Sequence, residues 1–495
     1  MKELELGEIV SVVSTLQVSK SPGLDAIPVK IIKDNIDILA MHLLHLFTHS
    51  IECSIFPARL KVAKVVPIHK EGELSEPSNY RPISVLGVIN TVFEKILCIR
   101  IKKFIGKFNI ICPSQHGFTP HRSTASAVLV LSQMINTALN DNKIAIVVYL
   151  DIKKAFDTVN HTILVDKLSK YGFRGKMLDF FNSYLTNRVQ HVVMNNVISG
   201  AQVVLTGVPQ GSVLGPMFFS LYVNDLRSIL KHSQAVMYAD DTALIFIGDT
   251  IDELNKKINE EMEMVLNWFT NNDLSVNIQK TKYTLFRSRG KKLNYQNVAL
   301  YLNNQPIQEV SSFKYLGVYL DSDMHWKNQV KQVCSKLAYG CHILLQAREC
   351  FNFSILRILY FAFIQSQLIY CMESWGNTYP TYLEPVIRLQ KRAIRIITYS
   401  KYTDSTEPLF KSTGILPFHS MYTLKIAQTI HKILQLNEPL PHSIFITPKR
   451  ETRAASAKHF NLPACHNTYG QRLLEFNGVL IWNGIPNEVK TETNF

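Results

Sequence analysis

Two adjacent carboxylates, Asp240 and Asp241, interrupt the apolar run AVMYADDTALIFI at 235–247. Two unit charges about 4 Å apart repel by roughly 4 kcal/mol at an effective dielectric near 20. That is a large share of a domain's net stability of roughly 5–15 kcal/mol. Two arrangements offset the cost. One is a hairpin with the pair at a solvated tip, since Asp tolerates tight turns. The other is a divalent cation. Mg²⁺ takes oxygen ligands, commonly one or two carboxylates plus substrate phosphates. Two-metal phosphoryl transfer also needs a carboxylate from a second element, so that both the attacking and the leaving oxygens are clamped. Asp151 is the candidate, near the end of IAIVVYLDI (144–152). Alone it reads as a helix cap for the KKAFD that follows. Beside the paired aspartates, with Phe156 and Asp157 close behind, it reads as the third ligand.

These carboxylates need a rigid frame. The run 144–152 is short, β-rich and apolar, which predicts a buried strand. AVMYADDTALIFI predicts strand, turn and strand. Segments 281–286 and 313–321 are also strand-like, and VQHVVMNNVIS with AQVVLTGV predicts a hairpin. Helices are expected at 36–47, 88–105, 123–140, 162–171, 176–185 and 216–230 from apolar residues at helical spacing. A further helix is expected at 250–270, with Leu254, Ile258, Met262, Val265, Leu266 and Phe269 on one stripe. From 322 onward the pattern is almost entirely helical. Helices packed on one face of a sheet, an α+β class, fit this order.

The chain has 495 residues, 46% of them hydrophobic, enough for two or three domains with sizeable cores. Lys and Arg exceed Asp and Glu by 53 to 39, which favours a polyanionic partner. The excess is strongest over 380–495, with 14 basic against 8 acidic side chains. There Arg388, Lys391, Arg392 and Arg395 recur along one helical face, opposite Val386, Leu389, Ala393 and Ile396. Such a stripe is either a plain solvated face or a nucleic-acid backbone contact. The eight cysteines lack zinc spacing and read as thiols of a reducing compartment. No signal peptide opens the chain. The apolar stretch 355–371 is broken by Arg357, Gln365 and Gln367, so it reads as a core helix and not a membrane span.

An ordered series of motifs resembles the reverse transcriptases of non-LTR retrotransposons, the LINE-type, jockey-like group in particular. They are SPGLDAIP (21–28), NYRPISVL (79–86), QHGFTPHRST (115–124), YLDIKKAFDTVNH (149–161), TGVPQGSVLGPMFFSLYVNDL (206–226), YADDTALI (238–245), LSVNIQKTKYTLF (274–286) and FKYLGVYLD (313–321). The resemblance implies a right-hand polymerase: fingers, a palm with an antiparallel sheet, a helical thumb and a C-terminal helical extension. Its expected boundaries are an N-terminal fingers extension over 1–50, the fingers and palm over 51–320, the thumb over 321–380 and a basic, mostly helical extension over 381–495. The implied function is RNA-directed DNA polymerase, with an RNA template, a DNA primer, deoxynucleoside triphosphates and two Mg²⁺ ions, Mn²⁺ being an alternative. A nuclear location follows from the family. Since no endonuclease motif is seen, a truncated element is expected, with the nick supplied elsewhere. The competing readings are a decayed or domesticated copy that only binds nucleic acid, and a maturase-type enzyme.

The resemblance also assigns roles. Asp151, Asp240 and Asp241 match the metal-binding catalytic triad. Phe156 matches an aromatic steric gate against the ribose 2′-hydroxyl. Lys70 and Arg81 match residues gripping the incoming triphosphate, and Gln210 and Gly211 match the loop beneath the templating pair. Lys280 matches a lysine that protonates the leaving pyrophosphate, with Lys282 as its rival. The segment around Arg122 is expected to contact template backbone, although Pro120–His121 departs from the small or basic residues common there.

Overall fold

The computed structural model describes residues 3–288, 298–436, 438–440, 444–447 and 459–491. Parts of the expected C-terminal extension (437, 441–443, 448–458 and 492–495) lie outside these described residues. The strands, in chain order, are β1 (Val62–His69), β2 (Tyr80–Val85), β3 (Ile144–Leu150), β4 (Arg188–Met194), β5 (Val197–Ile198), β6 (Gln202–Val204) and β7 (Ser233–Tyr238). They continue with β8 (Asp241–Gly248), β9 (Lys282–Phe286), β10 (Tyr301–Leu302), β11 (Gln305–Pro306), β12 (Gln308–Glu309), β13 (Ser312–Tyr315) and β14 (Val318–Asp321). Helices and mostly antiparallel strands are mixed without a repeating βαβ order, which fits an α+β chain. Among the described residues no helix is long and apolar enough to cross a membrane.

The chain forms two compact units. The first comprises residues 1–118, 152–230 and 263–277, the second 119–151, 231–262 and 278–495. These are units of contact and leave the expected fingers, palm, thumb and extension boundaries as expectations. The helix Pro380–Ile397 packs on Lys327–Arg348, and one buried cluster runs from Val147 and Val236 through Leu337 and Val386 to Trp482.

In the first unit β1 pairs antiparallel with β2 and parallel with β4, which carries β5 and β6 on its other edge. The expected hairpin after 188 is present, its return arm split into β5 and β6, both antiparallel to β4. Beneath it lies an aromatic core. Phe47 stacks on Phe93 at 4.2 Å, and Phe56 meets Tyr184 edge-on at 5.0 Å. The expected helix 216–230 ends at Tyr222 and continues as a tighter 3₁₀ turn over Asn224–Ile229. Side-chain chemistry overrides periodicity here. Asn224 accepts from Cys112 N at 2.7 Å and donates to Ile110 O at 2.8 Å, while Asp225 pairs with the buried Lys167 at 2.6 Å.

In the second unit the sheet order is β12-β9-β3-β8-β7. β3 is central, and all seven of its residues are buried, which explains its unbroken apolar sequence. The piece read as one strand at 313–321 is a hairpin. Leu316 and Gly317 form its two-residue turn with φ of 46° and 82°, as twisted hairpins demand. A leucine hides that signal, because side chains seldom adopt positive φ.

Candidate active site

Register brings the three carboxylates to one end of the second unit's sheet. Leu150, the last residue of β3, pairs with Thr242 of β8. Asp151 follows directly and, one step further along the same register, faces Asp241. Opposed positions in such a ladder lie about 5 Å apart at Cα. Tyr238 pairs with Asp241, so Ala239 and Asp240 are the two turn residues between β7 and β8. Ala239 takes φ 56°, a left-handed conformation that costs a side-chain-bearing residue about 1–2 kcal/mol. Asp151 and Asp240 are half-buried and Asp241 is exposed. Among the described residues no three His, Cys, Asp or Glu side chains are grouped closely enough to hold a metal ion. The types of donor at this strand end still suit a hard divalent ion. They are all oxygen, they are partly open to solvent, and the backbone register brings them to one end of the sheet.

Two buried phenols support this end of the sheet. Tyr149 stacks on Phe313 at 3.9 Å, and Tyr315 donates to Val236 O at 3.0 Å. Burial, and then the charge of Asp241, push the Tyr315 phenol well above its ordinary range. Tyr370 donates to Leu316 O at 2.6 Å and lies against Gly317, so the β13–β14 turn is fixed from a second side. Lys280 is exposed in the turn before β9. Lys282 pairs with Tyr149, so Lys280 lies at the same end of β3 from which Asp151 emerges. Its rival Lys282 donates to Gln308 Oε1 at 2.6 Å.

The first unit assembles the other expected residues. Phe156 is half-buried and stacks on the buried Phe219 at 4.7 Å. Its carbonyl accepts from Val208 N at 2.8 Å. Gln210 Nε2 donates to Asp157 Oδ1 at 2.9 Å, and Thr206 Oγ1 donates to Asp157 O at 3.1 Å. Burial pushes the Asp157 carboxyl up, against the smaller pull of Gln210 and Lys154. Gly211 has φ 119°, and a Cβ there would stand 2.4 Å from Ser84 O. Ser84 N donates to Gln210 O at 2.7 Å. The Pro209–Gly211 loop is thus held between β2 and the turn carrying Phe156. Arg81 is exposed on β2 opposite Ile68. Lys70 is exposed just past β1, its backbone N–H donating to Asn79 O at 2.9 Å. Both therefore lie toward the tip of the ribbon that grips the loop at Ser84.

Glu94 was not foreseen. Fully buried, it accepts from Tyr184 Oη at 2.7 Å, from Asn90 at 3.1 Å and from Val213 N at 2.6 Å. It anchors the end of the 209–213 loop. Its one signal is an acidic residue within the apolar stretch TVFEKIL.

Two expected nucleic-acid contacts look different in place. Arg122 is largely buried and forms a two-pronged ion pair with Glu438, with Nε 2.9 Å from Oε2 and Nη2 on Oε1. Its guanidinium is thus engaged within the chain by Glu438. Arg388, Lys391 and Arg392 are exposed as the stripe requires. Arg395 is half-buried and donates to Asp404 O at 2.8 Å.

Comparisons with known proteins bear on the family of the chain. Residues 68–320 match the family "Reverse transcriptase (RNA-dependent DNA polymerase)". The probable RNA-directed DNA polymerase from transposon BS of Drosophila melanogaster is 28% identical over 81% of the chain and 45% of its own length. The RNA-directed DNA polymerase from mobile element jockey of the same species is 25% identical over 80% and 44%. The chain therefore spans less than half the length of these curated relatives. Among solved structures, a telomerase from Candida albicans in complex with a telomeric RNA fragment has a TM-score of 0.42 at 12% identity, covering 73% of this chain and 66% of that one.

Proposed function

Because the chain belongs to the reverse transcriptase family, in its non-LTR retrotransposon branch, we propose that it adds deoxynucleotides to a DNA 3′ end on an RNA template. The observation that supports this reading is the β3–β8 register, in which Leu150, just before Asp151, pairs with Thr242, just after Asp241, while Asp240 lies in the adjoining β7–β8 turn.

In this reading Asp151, Asp240 and Asp241 would hold two Mg²⁺ ions, whose charge would lower the pKa of the primer hydroxyl and offset that of the leaving pyrophosphate. The chain's own residues do the rest. The β3–β8 ladder fixes two carboxylates on rigid backbone, so little ordering remains at the moment of reaction. Tyr315 and Tyr149 keep their protons and act as fixed supports, not as acids. Lys280, exposed at the same strand end, protonates the leaving pyrophosphate. Lys70 and Arg81 hold triphosphate oxygens, Arg with its planar fork and Lys as a point charge. Phe156, pinned by Phe219 and by Val208, excludes a 2′-hydroxyl. Gln210 and Gly211 bring the loop's backbone against the templating pair. Arg388, Lys391 and Arg392 supply an electrostatic contact to nucleic-acid backbone that weakens as salt rises.

The test is extension of oligo(dT) on poly(rA) by the purified chain. Product is expected with Mg²⁺ and none with EDTA. A chain that binds the primer–template yet never lengthens it with Mg²⁺ or Mn²⁺ overturns the reading.

A further inference from the structure

The helix Thr124–Asn140 begins beside a polar cavity of about 270 Å³ in the second unit, lined by Ser123, Ser126, Glu373, Lys425, Thr429 and Lys432 among others. That volume is far more than the about 30 Å³ one water occupies in the liquid. The rim is open at Ser123, which is exposed. The floor is Glu373, on the short helix Met372–Trp375, which packs between Thr124–Asn140 and Phe418–Leu436.

Glu373 has only 9% of its side chain exposed. Its Oε1 stands 3.7 Å from Lys425 Nζ, and its Oε2 has no hydrogen-bond partner. A buried carboxylate oxygen left unpaired is costly. Around it are groups of opposite preference. Lys425 and Lys432 line the same space, Lys432 anchored by donating to His121 O. The positive end of a 17-residue helix lies beside them, and helix starts favour anions.

A bare phosphate suits the lysines but is repelled by Glu373. A simple cation suits Glu373 but is repelled by the lysines. The complement has both an anionic oxygen and a hydroxyl donor a few bonds apart. RNA backbone offers that pair in every nucleotide, and DNA lacks the hydroxyl.

We propose that this cavity receives the ribose–phosphate backbone of an RNA strand, its 2′-hydroxyl donating to the Glu373 carboxylate and the neighbouring phosphate held by Lys425 and Lys432. The inference rests on the RNA-template reading and gives it a site outside the carboxylate cluster. It makes the second unit a reader of the template's sugar and not only of its charge.

The test is binding, not synthesis, so it stands apart from the polymerase assay. The full chain is titrated with a single-stranded RNA 12-mer and the DNA 12-mer of the same sequence. Glu373→Gln replaces a charged acceptor by a neutral one, and the RNA-over-DNA affinity ratio should fall about fivefold. DNA affinity should hold or rise, because a negative charge near the phosphate is gone. Lys425→Gln should weaken RNA and DNA alike and reduce the slope of log affinity against log salt by about 0.7. On the unmutated chain, 2′-O-methyl RNA, which cannot donate, should bind more weakly than RNA. Ribose 5-phosphate should not displace the 12-mer at concentrations where the RNA strand does. An unchanged ratio in Glu373→Gln, an equal loss of both strands, or 2′-O-methyl RNA binding as tightly as RNA overturns the proposal. So does displacement by free ribose 5-phosphate, which would mark a small-metabolite site.

Discussion

Replacing Gly211 with alanine tests the loop architecture at its tightest point. The added methyl would stand 2.4 Å from Ser84 O, a backbone atom, at φ 119°. A side-chain-bearing residue held in such a region costs about 1–3 kcal/mol. Relief requires the loop to back away from β2, which breaks the 2.7 Å bond from Ser84 N to Gln210 O and costs about 1 kcal/mol more. The sum is about 2–4 kcal/mol, because the two terms act in sequence on the same loop. Gly200→Ala is the control, since a Cβ there meets nothing within 4 Å. Denaturant unfolding of the full chain should show the Gly211 variant destabilised by that amount and the control unchanged. Withdrawal of the loop also draws Gln210 from Asp157, so single-nucleotide incorporation should drop at least about tenfold, the equivalent of about 1.4 kcal/mol. If both variants unfold at the same denaturant concentration, the close approach of the loop to β2 is wrong.

Three further outcomes follow from the same geometry. Asp157 is raised by burial, so its contribution to stability is present below the unfolded carboxyl range and is lost as pH rises through the folded value. Asp157→Asn keeps an oxygen for Gln210 and should be more stable than the parent at pH 7, with the gap closing toward pH 4. A constant gap would contradict this. Arg122→Gln should destabilise the chain by about 1–3 kcal/mol through the orphaned Glu438, with RNA affinity and its salt slope unchanged. A lower salt slope at unchanged stability would restore the template-contact reading. Phe156→Val should admit ribonucleotides by opening the space beside Phe219, and unchanged sugar selectivity would remove the gate.

What could be read in advance was whatever departs from ordinary economy. β3 is buried on both faces and so is written as one apolar run. The adjacent aspartates were visible because a strand pattern should not contain them. The β13–β14 hairpin was not legible, because Leu316 occupies a positive-φ position where Gly or Asn would have announced a turn. Helix 216–230 was overextended because Asn224 and Asp225 answer to Ile110, Cys112 and Lys167, partners that no local periodicity reveals. The Arg122–Glu438 pair was hidden for the same reason, since the two residues are 316 apart in the chain. The division between units was also hidden. Asp151 follows a strand of one unit and Ile152 opens a segment of the other, so Asp151 and Phe156, five residues apart, belong to different units.

The claim on which the rest depends is that Asp240 acts by holding metal and not by holding the fold. Asp240→Asn keeps the size and turn geometry of the residue and removes one negative charge. Assayed side by side for extension of oligo(dT) on poly(rA) with Mg²⁺ and for binding of the same primer–template, the variant should lose extension and keep its affinity. Extension at the parental rate, or binding lost in step with extension, would contradict the account.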